Sequence, residues 1–345
     1  MSGGVDSSVS AYLLKEQGYE VVGATYDFWH DDDDPKDIYR NLSDASEAKE
    51  VCDAIGIPHY AVNHTKLFRE QVEERFCREY LKGRTPNPCI ICNETVKWEA
   101  LMRSMKELEA DYVATGHYAD VIKLDNGRYS VRNAAFAAKD QTYVLYRLTQ
   151  EQLGHTLFPM GSYDKSEVRR IAKEAGLAVA AKKDSQDICF IDDGDYAGYI
   201  KSKTGGSGKS GNFVLKDGTV LGPHKGIADY TVGQRKGLGI AYEKPLYVCG
   251  IDHVTGDVVL GDNRDLFSKT LTASGIRYMG EESFDENRSY RAKIRYSQKS
   301  VPCRVEYTGD DTIRVIFDEE VRAATPGQAV VIYDADHIAG GGTIQ

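Results

Sequence analysis

The sequence predicts an α/β protein: a doubly wound parallel sheet in the N-terminal half, then a small β-rich central part and a C-terminal β-barrel. Three observations predict it. Short β-branched runs alternate with amphipathic helical patterns through the first half of the chain. A Gly/Ser-rich stretch, Ser2-Gly3-Gly4-Val5-Asp6-Ser7, stands directly before the first helical pattern. From Phe213 onward, glycine turns separate short strand-like runs. The 345 residues suit two or three domains, at ~100–200 residues each. A hydrophobic share of 41% and a charged share of 28% are those of a globular chain. No apolar run is long enough to span a bilayer, so a cytoplasmic protein with no membrane partner is expected. The net charge of −10 argues against non-specific adhesion to nucleic acid, although a local basic face can bind RNA on an acidic protein. Seven cysteines, odd in number and scattered, argue against a secreted disulfide framework and turn attention to thiol or metal chemistry.

The first stretch reads as a phosphate cradle. Gly3 and Gly4 let the backbone curl close to an anion, and Val9, Tyr12 and Leu13 begin a helix whose N-terminal amides point back at it. The Lys of a Walker A loop is missing, so pyrophosphate release with Asp6 near a magnesium ion fits better than a γ-phosphate clamp. An ordinary Gly/Ser cap is the plainer alternative. Such a loop normally hangs from a buried parallel strand, and none precedes Met1, so the expectation is that Met1 is an internal methionine of a longer chain.

Val21–Tyr26 reads as a buried strand after Gly18, the natural stop of the first helix. Asp31–Asp34 reads as a solvated turn without the ligand spacing of a calcium loop. Asp44 and Glu47 form a capping box, and Ala48, Val51, Cys52 and Ile55 mark a core-facing stripe ended by Gly56. His59–Asn63 is the next strand, and 65–82 an amphipathic helix carrying Phe68, Val72, Phe76, Cys77 and Tyr80.

Gly83–Asn93 breaks this rhythm. Pro86 and Pro88 predict an extended backbone ending in Cys89-Ile90-Ile91-Cys92. A helix beginning near Glu94 would put Cys92 at its N-terminus, where the dipole favours thiolate. A four-cysteine zinc site lacks its second Cys-x-x-Cys pair. Tyr112–Tyr118 runs as a strand into Gly116-His117, and Asp125-Asn126-Gly127 is a hairpin signal. Lys139–Tyr143 opens a helix either as a plain cap or with Lys139 and Gln141 touching a phosphate or base. Residues 164–176 form a helix with Lys165, Arg169, Arg170 and Lys173 on a face that is solvated or tracks RNA. Lys182–Ile191 places Cys189 on an exposed strand edge. Thr204–Gly211 is a flexible loop despite Gly208-Lys209-Ser210, and Tyr230–Ile240, with Gln234, Arg235 and Lys236, is a loop approaching RNA backbone. Basic residues from Arg277 to Arg304 gather in the last segment; Cys249 and Cys303 fall in strand patterns and are expected to be buried.

The motifs SGGVDSS, TPNPCIICN, ATGHYA, KDQTYVL, SQDICFI and GPHKGIADYTVGQRKGLGI occur in this order, and in them the chain resembles the bacterial tRNA-specific 2-thiouridylases along nearly its whole length. The resemblance implies a Rossmann-like, adenine nucleotide alpha hydrolase-like domain at 1–196, a β-rich domain at 197–263 and a tRNA-contacting barrel at 264–345. It implies ATP with magnesium as cofactors, tRNAs for Lys, Glu and Gln as substrates, and a sulfur-donor partner such as a cysteine desulfurase or sulfur relay. The reaction would be thiolation of C2 of the wobble uridine through an adenylate, with AMP and pyrophosphate released. Met1, Ser2, Gly3, Gly4, Val5, Asp6 and Ser7 would hold ATP, bordered by Tyr26 and Gly116. Cys92 would be the nucleophilic cysteine and Cys189 the persulfide carrier, the two finishing as a disulfide or being reset by the donor. Asn87, Pro88 and Cys89 would lie against a flipped base, and His117, Lys139, Asp140, Gln141, Arg295, Tyr296 and Gln328 would contact tRNA. Cys89 departs from the Asp common in that family, which opens a second route: Cys89, Cys92 and Cys189 as ligands of a [4Fe–4S] cluster. Another adenylating pyrophosphatase would account for the loop but not for Cys92 with Cys189, and a tRNA-binding homologue with an impaired ATP site is the remaining alternative.

Overall fold

The computed structural model describes residues 1–28, 43–182, 188–191 and 194–345, with residues 43 and 44 described by their backbone only. The Asp31–Asp34 run, the Asp44 side chain and Ser185–Asp187 therefore lie outside the described residues. In chain order the helices are α1 (Val5–Glu16), α2 (Ser43–Ile55), α3 (Thr65–Phe68), α4 (Glu74–Leu81), α5 (Pro88–Cys92), α6 (Trp98–Glu107), α7 (Gln150–Gly154), α8 (Lys165–Glu174) and α9 (Tyr196–Thr204). The strands of the N-terminal half are β1 (Gly23–Asp27), β2 (His59–Asn63), β3 (Val113–Ala114), β4 (Ala119–Lys123), β5 (Tyr129–Asn133) and β6 (Thr156–Leu157). Those that follow are β7 (Gly211–Leu215), β8 (Val220–His224), β9 (Tyr247–Ile251), β10 (Val258–Gly261), β11 (Phe267–Tyr278), β12 (Tyr290–Lys293), β13 (Val301–Gly309), β14 (Thr312–Arg322), β15 (Ala329–Asp334) and β16 (His337–Ile344). They fall into two compact units, Met1–Val72 with Ile90–Gln186 and Asp336–Ile338, and Glu73–Cys89 with Asp187–Ala335 and Ala339–Gln345.

In the first unit, β1 and β2 pair in parallel from Gly23 opposite His59 to Asp27 opposite Asn63. β3 and β6 pair in parallel as well, Val113 opposite Thr156. Parallel strands separated by helices are the α/β pattern that the alternating runs predict. Val5, Val9 and Ala11 of α1 pack with Val51, Cys52 and Ile55 of α2 and with Val168 and Ala172 of α8, all buried. Covering a Val this completely stabilises the fold by roughly 1.5–3 kcal/mol. The Asp125-Asn126-Gly127 signal becomes the β4–β5 hairpin, with Val121 opposite Val131.

Four elements differ from expectation. The helix begins at Pro88 and not near Glu94: Asn87 Oδ1 accepts the Cys89 amide at 3.0 Å, and Pro88 takes the first helical position, where its missing N–H costs no bond. A π turn, Asn93–Lys97, then leads into α6. The expected helix over 65–82 is likewise divided into α3 and α4 by a π turn, Arg69–Glu73. Residues 137–139 and 142–145 form 3₁₀ turns in place of the helix expected from Lys139, because Asp140 turns inward to bond the Ala134 amide and the Thr142 hydroxyl. Cys189 sits in a turn, not on a strand edge: the Ile191 amide donates to the Ile188 carbonyl at 2.9 Å.

In the second unit, Ile188, Phe190 and Ile191 pack with Phe76, Cys77 and Tyr80 of α4 and Ile200 of α9. A four-stranded sheet of order β8-β7-β10-β9 follows, with β7 and β10 parallel. The segment with Gly208-Lys209-Ser210 leads into strand β7 and has no helix behind it to bind an anion. Last comes a barrel in the order β11-β14-β13-β12-β15-β16, closed by β11 against β16 with Ala273 opposite Ile344. Its inward residues, among them Leu271, Val305, Val315 and Ile332, form one core, and closure leaves no free strand edge.

Candidate active site

The anion cradle is built by the chain turning sharply into α1. Gly3 has a φ of +64°, which a side chain would strain, and Gly4 occupies the N-cap in extended conformation with no side-chain cap on the amides that follow. The Ser7 hydroxyl accepts the Ser2 amide at 3.1 Å and closes the loop from within. The Met1 amine donates to the Ala24 carbonyl, which lays the start of the loop beside β1. Gly116 seals the other side: a Cβ there would lie 2.7 Å from the Ser7 nitrogen and 2.8 Å from the Asp6 carbonyl carbon. Tyr26 stands near the C-terminal end of β1 with its hydroxyl on Ser104 Oγ at 3.1 Å.

Asp6 is held by two partners from distant sequence. Lys165 Nζ and the Tyr118 hydroxyl each donate to Asp6 Oδ1 at 2.7 Å. Lys165 stands at the first position of α8, where Asp164 caps the helix in a full capping box with Glu167. Its side chain is only 15% exposed. The fold thus delivers to the loop the lysine that the loop lacks. Sequence reasoning missed this role, placing Lys165 on a basic face. Of that face, Arg169 bonds the Ala180 carbonyl and Arg170 pairs with Glu174.

The seven thiols separate by burial. Cys52, Cys77 and Cys303 are buried, and burial pushes Cys52 up to about 11, Cys303 up to about 12 and Cys77 upward. Cys249 is half-buried and raised to about 11 for the same reason. Cys89 and Cys189 are exposed and Cys92 is intermediate. Cys89, at the second position of α5, takes the helix-terminal place expected for Cys92, which sits one turn in. Asn93 donates to the Val144 carbonyl at 3.0 Å and Arg147 to Glu94 at 2.6 Å, so the helix that follows Cys92 is anchored on the 142–147 turn. Cys92 belongs to the first unit, Cys89 and Cys189 to the second. Among the described residues no three His, Cys, Asp or Glu side chains gather as a site for a metal ion.

The residues expected at RNA are engaged in several ways. His117 pairs with Thr115 Oγ1 at 2.7 Å and lies against the rings of Trp98 and Phe158. Burial, and then Lys97, hold its imidazole well below its ordinary value, so it is neutral. Gln141 Oε1 accepts the Tyr118 amide at 2.9 Å, and the Gln141 amide returns a bond to the Tyr118 carbonyl at 3.0 Å. Arg295 Nη2 donates to the Val232 and Ala323 carbonyls and to Thr325 Oγ1. Gln328 Nε2 donates to the Thr85 carbonyl at 3.0 Å. Tyr296, Arg235 and Lys236 are exposed.

Three family models match in succession: the tRNA methyl transferase HUP domain over 1–193, the tRNA methyl transferase PRC-barrel domain over 199–262 and the aminomethyltransferase beta-barrel domain over 268–344. The tRNA-specific 2-thiouridylase MnmA of Clostridioides difficile (strain 630) is 49% identical over 348 residues, which cover 100% of this chain and 96% of that protein. The chain belongs to the tRNA-specific 2-thiouridylase family. Other thiouridylases, from Lachnoclostridium phytofermentans and Acetivibrio thermocellus, are 49% and 48% identical, each covering 100% of this chain and 98% of theirs. A solved structure, the U34-tRNA thiolase NcsA of Methanococcus maripaludis with its [4Fe-4S] cluster, is 17% identical with a TM-score of 0.33, covering 59% of this chain and 64% of that one, and carries no argument at that distance. Among the described residues no helix of this thiouridylase-family chain is long and apolar enough to cross a membrane.

Proposed function

We propose that this chain is an ATP-dependent tRNA sulfurtransferase that makes 2-thiouridine at wobble position 34 of the tRNAs for Lys, Glu and Gln. The observation that carries the reading is the end-to-end 49% identity with tRNA-specific 2-thiouridylases. The cradle at α1, the half-buried Cys92 thiol and the exposed Cys189 thiol supply chemistry that suits it. The uridine O2 attacks the α-phosphorus of ATP and pyrophosphate departs, which turns a poor electrophile into an adenylate. The terminal sulfur of a Cys189 persulfide attacks C2, and AMP leaves with the oxygen. The Cys92 thiolate then takes the inner sulfur of Cys189, leaving 2-thiouridine and a Cys92–Cys189 disulfide that an external thiol reduces. A sulfur-donor protein reloads Cys189.

Ser2 to Ser7 and the first amides of α1 bind the phosphates, with Gly116 and Tyr26 at the adenosine. Magnesium, brought with the phosphates, would be held with water by the Asp6 carboxylate, whose Oδ1 also accepts Lys165 and Tyr118, and would offset charge on the departing pyrophosphate. The persulfide is the route proposed first because Cys92 and Cys189 alone carry its thiol exchange; Cys89, Cys92 and Cys189 as ligands of a [4Fe–4S] cluster are the second route. Domain limits of 1–196, 197–263 and 264–345 belong to the same proposal, supported by family-model matches at 1–193, 199–262 and 268–344. So does a cytoplasmic location, where tRNA and ATP are found.

The test is sulfur incorporation into a tRNA transcript, read by nucleoside mass spectrometry, with ATP and a persulfide donor. Cys92→Ser and Cys189→Ser are expected to lose 2-thiouridine while tRNA-dependent pyrophosphate release persists. Full thiolation by Cys189→Ser overturns the mechanism. Iron bound stoichiometrically after anaerobic purification, and needed for thiolation, replaces the persulfide with the cluster.

A further inference from the structure

The loop that leads to Asn87, Pro88 and Cys89 is gripped by its backbone. The Thr85 amide donates to the Pro326 carbonyl at 2.8 Å, and the Thr85 carbonyl accepts Gln328 Nε2 at 3.0 Å. Both polar groups of one peptide residue are thus spent on a single turn of the barrel, Thr325–Gln328. The turn itself is fixed at each end. Arg295 Nη2 donates to Thr325 Oγ1 at 2.6 Å, and the Ile344 amide donates to the Gln328 carbonyl at 2.8 Å. Gly327, at φ +92°, is pressed so closely on the loop that a Cβ there would fall 2.9 Å from the Thr85 nitrogen and 3.1 Å from Arg84 Cβ. Arg84 adds bonds to Gln345 Oε1 at 3.0 Å and to the Ile344 carbonyl at 3.2 Å. Thr85 and Pro86 are buried. Only Pro86, with its fixed φ, separates the gripped residue from Asn87, which caps α5.

We propose that the turn Thr325–Gln328 is a clamp that sets the position of Asn87–Cys89, with Gln328 a positioning residue acting through Thr85 and Arg295 its brace. The inference rests on the proposed function in taking Asn87–Cys89 as the segment that meets the target base. Its chemistry is that of alignment: a donor removed from the Thr85 carbonyl leaves tRNA bound but the loop displaced, and small displacements of a reacting group cost large rate factors.

The experiment uses the full chain with Gln328→Ala, Gln328→Glu and Gly327→Ala. Gln328→Glu keeps the shape of the side chain but, ionised, cannot donate. Thiolation kcat is expected to fall about 10- to 100-fold in all three, by more than the Kd for tRNA rises. Amide exchange at Thr85 and Cys89 should accelerate in all three, while the Tm holds in the two Gln328 variants and falls in Gly327→Ala, where the added methyl meets backbone. A raised tRNA Kd at unchanged kcat makes Gln328 a direct contact and overturns the clamp, as does unchanged exchange at Thr85. If wild type makes no 2-thiouridine, the proposed function falls, and the exchange measurement still decides whether the clamp exists.

Discussion

Lys165 carries its positive charge to a carboxylate 159 residues away in sequence, and that pairing defines the character of the anion cradle. A phosphate entering beside Asp6 meets a cation already desolvated and already aimed, which strengthens a charge-assisted bond. Replacing Lys165 with Gln keeps much of the stem but removes the charge. Loss of such a bond amounts to about 1.5–3 kcal/mol, so affinity for a non-hydrolysable ATP analogue should weaken roughly 10- to 100-fold. Titration calorimetry checks it, with AMP as the control ligand because it lacks the distal phosphates. Equal affinity for the analogue in mutant and wild type would return Lys165 to a purely structural ion pair. The residues of the loop itself were legible, since two glycines and an uncapped helix start speak locally. Lys165 and Tyr118 were not, because helical spacing shows which residues share a face and nothing about which distant side chain that face meets.

Gly116 shows the same limit at the level of elements. The strand expected over Tyr112–Tyr118 is shortened to Val113–Ala114, and Gly116-His117 lies in the loop after it; the reason for glycine lies in the packing of that loop on the first turn of α1. A methyl group there meets backbone, which cannot swing aside. Gly116→Ala should destabilise the protein by about 1–3 kcal/mol through overpacking and weaken nucleotide binding more than it lowers the Tm, because the displaced atoms belong to the cradle. Thermal melts and analogue titration on the same variant separate the two effects. Helix starts were harder to read. Two prolines argued for an extended segment, yet Asn87 and Pro88 together form a cap and a first helical residue, a combination whose outcome depends on where the preceding loop is held.

For the molecule as a whole, half-buried histidines held neutral tie stability to pH. His59 is pushed down to about 4 by burial first, with Lys49 adding to it, and His64 and His117 are lowered as well. Between about 6.5 and about 4 the unfolded chain therefore binds a proton at His59 that the folded chain refuses. Stability is full above that window and falls as pH drops through it. Urea midpoints measured across pH 4–7 should rise with pH, and His59→Gln should flatten part of the slope. A slope unaltered by His59→Gln would place the dependence elsewhere. The α/β first half and the β-rich second half were both legible, since periods of 2 and 3.6 are local signals. The grip of the barrel turn on the segment before α5 was not, because it runs through main-chain atoms that carry no sequence signature.

That grip has a consequence for how the chain can vary. Apart from a hydroxyl contact of 3.4 Å to Thr231, Thr85 is held through its peptide group, which every residue except proline can offer in full. Position 85 is therefore open to exchange among small side chains that fit its enclosure. Position 327 is not, since its backbone conformation and the nearness of the neighbouring chain both exclude a side chain. The segment proposed to meet the target base can in this way drift in chemistry while its alignment is inherited from residues more than two hundred positions later.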